Sequence, residues 1–124
     1  MIKLLLILSG GALGSLGRYA VSGLAHRLST SMFPIGTLAV NLIGSFIIGL
    51  LWGAFENTII SPNARSFIFI GVLGGFTTFS TYSLETLNLL RDGEIKLAFL
   101  NLALNNILGL LLAFAGLALA KQFQ

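Results

Sequence analysis

Three stretches of this chain, 28–55, 66–84 and 97–120, contain no charged residue at all, and a fourth, 4–25, contains only Arg18. A helix needs about 20 predominantly apolar residues to cross the hydrocarbon of a bilayer. The pattern therefore predicts four spans, at about 4–25, 34–55, 66–90 and 97–120. Short connections join them: "HRLSTSMF", "ENTIISPNA" and "RDGEIK". Pro34 suits the first turn of the second span and Pro62 reads as a loop residue, so neither breaks a helix. No segment remains for an extramembrane domain, and the chain reads as a single four-helix membrane domain over 1–124.

Composition agrees with this all-α integral membrane reading. Hydrophobic residues make up 56% of the chain and charged residues 9%, whereas a soluble domain carries roughly 25% charged residues. Seven Lys and Arg with four Asp and Glu cannot cover a soluble domain of 124 residues. There is no cysteine, which excludes disulfides and thiolate chemistry. The net charge of +3 comes from scattered single residues that form no basic patch, so no nucleic-acid partner is expected. The opening "MIKLLLILSGGALG" has the lysine, apolar core and small residues of a signal peptide. The segments after it are equally apolar, so it reads more simply as the first of a set.

Orientation carries more information. With four spans, Lys3, Arg65 and Lys121 fall on one side, and Arg27, Arg91 and Lys96 on the other. Lys/Arg asymmetry sets topology, and three against three is no asymmetry. That balance predicts insertion in both orientations and an antiparallel dimer of identical subunits; the plain alternative is that so few charges balance by chance. Ser45, Gly49 and Gly53 recur every four residues along the second span, with Asn41 on the same stripe. Gly10 and Gly14 do likewise on the first, with Arg18 one turn further. Such stripes let membrane helices approach closely.

Polar side chains inside spans need a partner or a water-filled cavity. Arg18 has two readings: snorkelling with carbonyl partners, or an electropositive vestibule that attracts an anion. Asn41 offers an amide donor and an acceptor, and its plain role is glue between helices. Asn101 and Asn105 lie on one face of the fourth span, with Asn106 beside them. Glu85 is the only acid well inside an apolar segment, and a cap or a partner for Arg91 or Lys96 is favoured over a titrating transport carboxylate.

The segment "GGFTTFSTYSLE", Gly74 to Glu85, combines two glycines with five Ser and Thr residues, a poor helix former inside a span. A helix break at membrane depth is tolerated where the freed backbone is buried in protein or faces water. Freed carbonyls suit a hard cation, which prefers oxygen ligands. Beyond the break, Phe79 and Tyr82 share a face, with Thr78, Ser80, Thr81 and Ser83 around them. Positive ring edges and hydroxyl donors describe a dehydrating path for a small anion.

With this segment, "GGALGSLGRY" in the first span and "GTLAVN" entering the second, the whole chain resembles the Fluc fluoride channel family, also called CrcB. The resemblance implies a dual-topology antiparallel homodimer with two fluoride pores. It also implies a structural Na+ at the dimer centre that is not transported, held by backbone carbonyls of Gly74 and Thr77 in the broken third helix. Asn41 becomes the pore asparagine, Phe79 the first pore phenylalanine, Arg18 the vestibule arginine, and Asn105 the first position of a polar track. The chain departs from the family pattern twice. Tyr82 stands where the second pore phenylalanine belongs, and Gly109 and Ala113 occupy the next turns of the track.

Two assemblies follow: a homodimer that conducts alone, favoured by Asn41, Phe79 and the break, or a pair with a paralogous subunit in which one pore is vestigial. The implied role is passive export of fluoride across the cell membrane of a prokaryote. A small multidrug exporter would need a carboxylate in its first span, where this chain has an arginine. An anchor subunit would not need the hydroxyl-rich break. No enzyme is expected, because no nucleophile–base or acid-pair constellation is present, and His26 is a loop residue.

Overall fold

In a computed structural model that describes all 124 residues, the chain is helical with no strand. Four helical spans, Ile2–Leu28, Ile35–Ala54, Pro62–Arg91 and Ile95–Lys121, are each long and apolar enough to cross a membrane. The second, at 20 residues, is about 30 Å long, the thickness of the hydrocarbon layer.

The boundaries differ most at the third span. Pro62 is its first helical residue rather than a loop residue, because the Ser61 hydroxyl accepts the Ala64 N–H at 3.1 Å and caps the helix there. Arg65 therefore lies in a helical turn, 5.6 Å from the Trp52 ring centre. His26 likewise belongs to the last turn of the first helix, not to a loop. The connection between spans three and four turns at Gly93, the one residue with positive φ, at 79°.

The first helix packs along the first half of the third span, and the second helix along the fourth. Close approach depends on glycine. A Cβ on Gly14 would run into the Val72 carbonyl, and one on Gly49 into the Ala113 carbonyl. The stripes of small residues are thus the seams between helices. At one end of the bundle Lys121 pairs with Glu56 at 3.5 Å. There Gln124 accepts from Asn57 at 2.8 Å and donates to the Gly53 carbonyl at 2.7 Å. At the other end Thr37 donates to Glu85 at 2.6 Å. The C-terminus and the second connection accordingly share a side.

Burial runs opposite to that of a soluble protein. Only 21 residues are buried, and they include Thr37, Ser66, Thr78, Thr86 and Asn101, while large apolar side chains cover the outside. This is what a hydrocarbon solvent selects: polar groups inside, finding one another.

Candidate ion pathway

The third span stops at Phe76 and restarts at Phe79. Between them Thr77 (φ −85°, ψ 160°) and Thr78 (φ −150°, ψ 125°) are extended. The glycine pair is not itself the break. Gly74 keeps helical angles (φ −64°, ψ −36°), and Gly75 lies so close to the first helix that a Cβ would come within 2.7 Å of the Gly11 carbonyl oxygen. The threonines make the interruption. The Thr78 hydroxyl accepts the Thr81 N–H at 3.3 Å, an N-cap that restarts the helix.

Asn41 holds the interruption open from the second helix. Its Oδ1 accepts the Thr78 N–H at 2.9 Å, and its Nδ2 donates to the Thr78 carbonyl at 3.0 Å. One amide thus pairs with both backbone groups of one residue, as a neighbouring strand would. The other Nδ2 hydrogen goes to Asn105 Oδ1 at 2.8 Å. Asn105 in turn donates to Asn101 Oδ1 at 2.9 Å, and Asn101 to the Thr86 hydroxyl at 2.9 Å. Thr86 closes the chain on the Tyr82 carbonyl at 2.9 Å. Polar side chains are therefore joined from the break to the buried face shared by spans three and four.

Beside the break lies a cleft of about 350 Å³, lined among others by Asn41, Thr78, Phe79, Tyr82, Asn105 and Asn106. Phe79 and Tyr82 meet edge to face, with ring centres 5.4 Å apart. Phe79 is 75% exposed and Tyr82 only 5%. The consecutive residues Asn105 and Asn106 both reach the cleft from a π-helical turn, Leu104–Leu108, a widening that recurs at functional sites.

Not every candidate residue converges on this cleft. Ser80 and Thr81 are exposed and do not line it; the Thr81 hydroxyl instead accepts from Thr78 Oγ1 at 3.1 Å. Arg18 lies off the cleft and donates to the Thr77 carbonyl at 3.5 Å. Beyond Asn106 the fourth helix offers no further polar side chain to the cleft, and Ala113 and Gly116 pack their backbones on the second helix. Glu85 takes Thr37 as its partner rather than Arg91 or Lys96, and its Oε2 has none within the chain.

The break also frees carbonyls. The Thr78 N–H that would return to Gly74 is taken by Asn41, and no backbone N–H reaches the Gly74 or Thr77 carbonyl. No cluster of His, Cys, Asp or Glu could hold a metal ion. A cation here would rest on neutral oxygens, a donor set that suits a hard monovalent ion. The Arg18 guanidinium on the Thr77 carbonyl opposes it, and that side chain must swing away for Thr77 to turn its oxygen fully to a cation.

Periodicity did not expose Thr86 and Asn106. Thr86 reads as one more hydroxyl near a helix end, and Asn106 sits off the face of Asn101 and Asn105 until the π turn brings it round. Asn106 Nδ2 donates to the Tyr82 hydroxyl at 2.9 Å, a pairing that the sequence offers only as a tyrosine in need of a hydrogen-bond partner.

Four apolar helices, a third span broken at mid-length and an amide from the second span bridging the break define a small helical membrane protein with a polar cleft beside its break. Residues 5–117 match the family of CrcB-like proteins, Camphor Resistance (CrcB), and the chain belongs to that family. It is 49% identical over 122 residues to the fluoride-specific ion channel FluC of Parabacteroides distasonis, covering 98% of this chain and 95% of that one. The protein of the same name from Salinibacter ruber is 48% identical over 116 residues, covering 94% and 87%. That of Pyrococcus horikoshii is 46% identical over 118 residues, covering 94% of each. This is a family of channels and not of enzymes.

Proposed function

We propose that this protein is a fluoride-selective passive channel in the cell membrane of a prokaryote. The observation that carries the reading is the break bridged by Asn41, beside a cleft where Phe79, Tyr82, Asn105 and Asn106 converge. Fluoride is small and holds its water tightly, so closely spaced donors and positive ring edges must replace that shell. The names of the relatives support fluoride as the permeant. Conduction is passive and runs outward, because hydrogen fluoride enters neutral and leaves its anion trapped in the less acidic cytoplasm.

The working unit in this proposal is an antiparallel homodimer. Phe79 is 75% exposed at the mouth of the cleft, and a second copy would cover it. Balanced Lys and Arg on the two sides permit both orientations. A structural Na+ at the dimer centre rests on the freed carbonyls of Gly74 and Thr77, with Arg18 displaced. When bound, the ion would give those unpaired carbonyl dipoles a partner that no backbone N–H supplies. A second reading, pairing with a paralogous subunit, is favoured by one observation: the polar lining of the cleft stops at Asn105 and Asn106 on the fourth helix.

The test is purified chain in liposomes. Fluoride should leave the vesicles and chloride should largely stay, and the flux should fall when sodium is replaced by a bulky organic cation. Equal fluoride and chloride fluxes would refute the channel reading. Fluoride flux and dimer stability that ignore sodium would refute the ion. A silent chain that gains flux when mixed with a paralogue would favour the second reading.

A further inference from the structure

We infer that Tyr82 donates its hydroxyl hydrogen to the permeating anion, and that Asn106 is the residue that positions it to do so. The inference rests on the channel reading above. It starts from one amide. Asn106 Nδ2 lies 2.8 Å from the Leu102 carbonyl and 2.9 Å from the Tyr82 hydroxyl. A carbonyl oxygen can only accept, so the atom facing it is the amide nitrogen, and both of its hydrogens are then assigned. The phenol oxygen accepts the second. Its own hydrogen finds no acceptor within the chain, and no other residue donates to it.

That hydrogen belongs to a side chain 5% exposed on the wall of the cleft. A buried O–H without an acceptor is costly, and a small anion in the cleft satisfies it with a charge-assisted bond. The surrounding amides cannot take this role. Both hydrogens of Asn41 are engaged, one on Thr78 and one on Asn105, and Asn105 donates to Asn101. Phe79 offers only a ring edge. Thr77 and Thr78 spend their hydroxyl hydrogens on the Leu73 carbonyl and Thr81. Tyr82 is thus a free donor in the cleft, with Ser45 the one other lining hydroxyl that donates to nothing within the chain. Tyr82 supplies on the third span what Gly109 and Ala113 do not supply on the fourth.

The two residues act as a unit. Without Asn106 the phenol oxygen loses the amide hydrogen that orients it, and its own hydrogen is no longer held toward the cleft. Tyr82→Phe and Asn106→Leu should therefore each lower fluoride flux, on the order of tenfold for one hydrogen bond to an ion. The double variant should be no worse than either single one. The ratio of fluoride to chloride flux should fall with them, which a packing defect alone would not produce. Asn106→Gln, which keeps an amide, should recover part of both.

A readout independent of flux is available because the chain has two tyrosines. With 13C at the tyrosine Cζ in the reconstituted protein, fluoride should shift one resonance, assigned to Tyr82 by its loss in Tyr82→Phe. The resonance of Tyr19, 80% exposed, should stay in place. Chloride should shift neither, and Asn106→Leu should abolish the response. Selective flux in the unmodified chain that is unchanged or raised in Tyr82→Phe would overturn this inference and leave the channel reading standing. A Tyr82 resonance indifferent to fluoride would overturn it as well. No fluoride flux in any variant would instead sink the channel reading on which it rests.

Discussion

Asn41 does with one amide what a backbone neighbour does in a sheet. It accepts from the Thr78 N–H and donates to the Thr78 carbonyl, and so keeps two residues of extended chain at membrane depth. In hydrocarbon no water can substitute for it. Asn41→Leu should strand both groups and lower stability by about 1–3 kcal/mol, the desolvation cost of an unmet buried partner, with loss of fluoride flux. Asn41→Asp keeps the acceptor but loses both donated bonds, and should fall between the two. Denaturant titration in detergent, beside efflux, measures this; a Leu variant as stable as the unmodified chain would show that the break does not depend on the bridge. Residue type hinted at part of this role. An asparagine inside an apolar span has to bond something, but only the fold says that its partner is main chain.

Glycines on the helices sort by what they face. A Cβ at Gly49 would meet the Ala113 carbonyl, while at Gly23 it would meet nothing within 4 Å. Gly49→Ala should therefore force spans two and four apart, at about 1–3 kcal/mol for overpacking. Gly23→Ala should cost nothing and gain up to about 1 kcal/mol of helix propensity. Equal thermal stability of the two variants would contradict the seam. The stripe at Ser45, Gly49 and Gly53 was legible in the sequence because its four-residue period is that of a helix face. The placement of Ser80 and Thr81 was not, since the break resets the phase of the helix and turns both outward. The π turn at Leu104–Leu108 shifts phase a second time, which is why Asn106 joins the cleft unannounced. Charge-free length reveals spans reliably; a regular period misleads past any irregular turn.

For the whole molecule the governing number is the balance of three basic residues on each side. Reporters at the C-terminus should reveal both orientations, and two lysines added near Lys121 should bias insertion and lower flux when this chain is the only subunit. One orientation in the unmodified chain would refute the antiparallel homodimer. The reporter needs a spacer, since Gln124 donates to the Gly53 carbonyl and accepts from Asn57.

The interruption between Phe76 and Phe79 also sets two half-helix dipoles end to end. The first half presents its negative carbonyl end at the break and the second its positive amide end. Two fields of opposite sign thus face each other across two residues. One favours a cation among the freed oxygens; the other favours an anion beside the restarted helix. An unbroken span would cancel them internally and present neither. Two adjacent threonines, pinned by one amide, thus set fields of opposite sign at neighbouring points of a neutral stretch of chain.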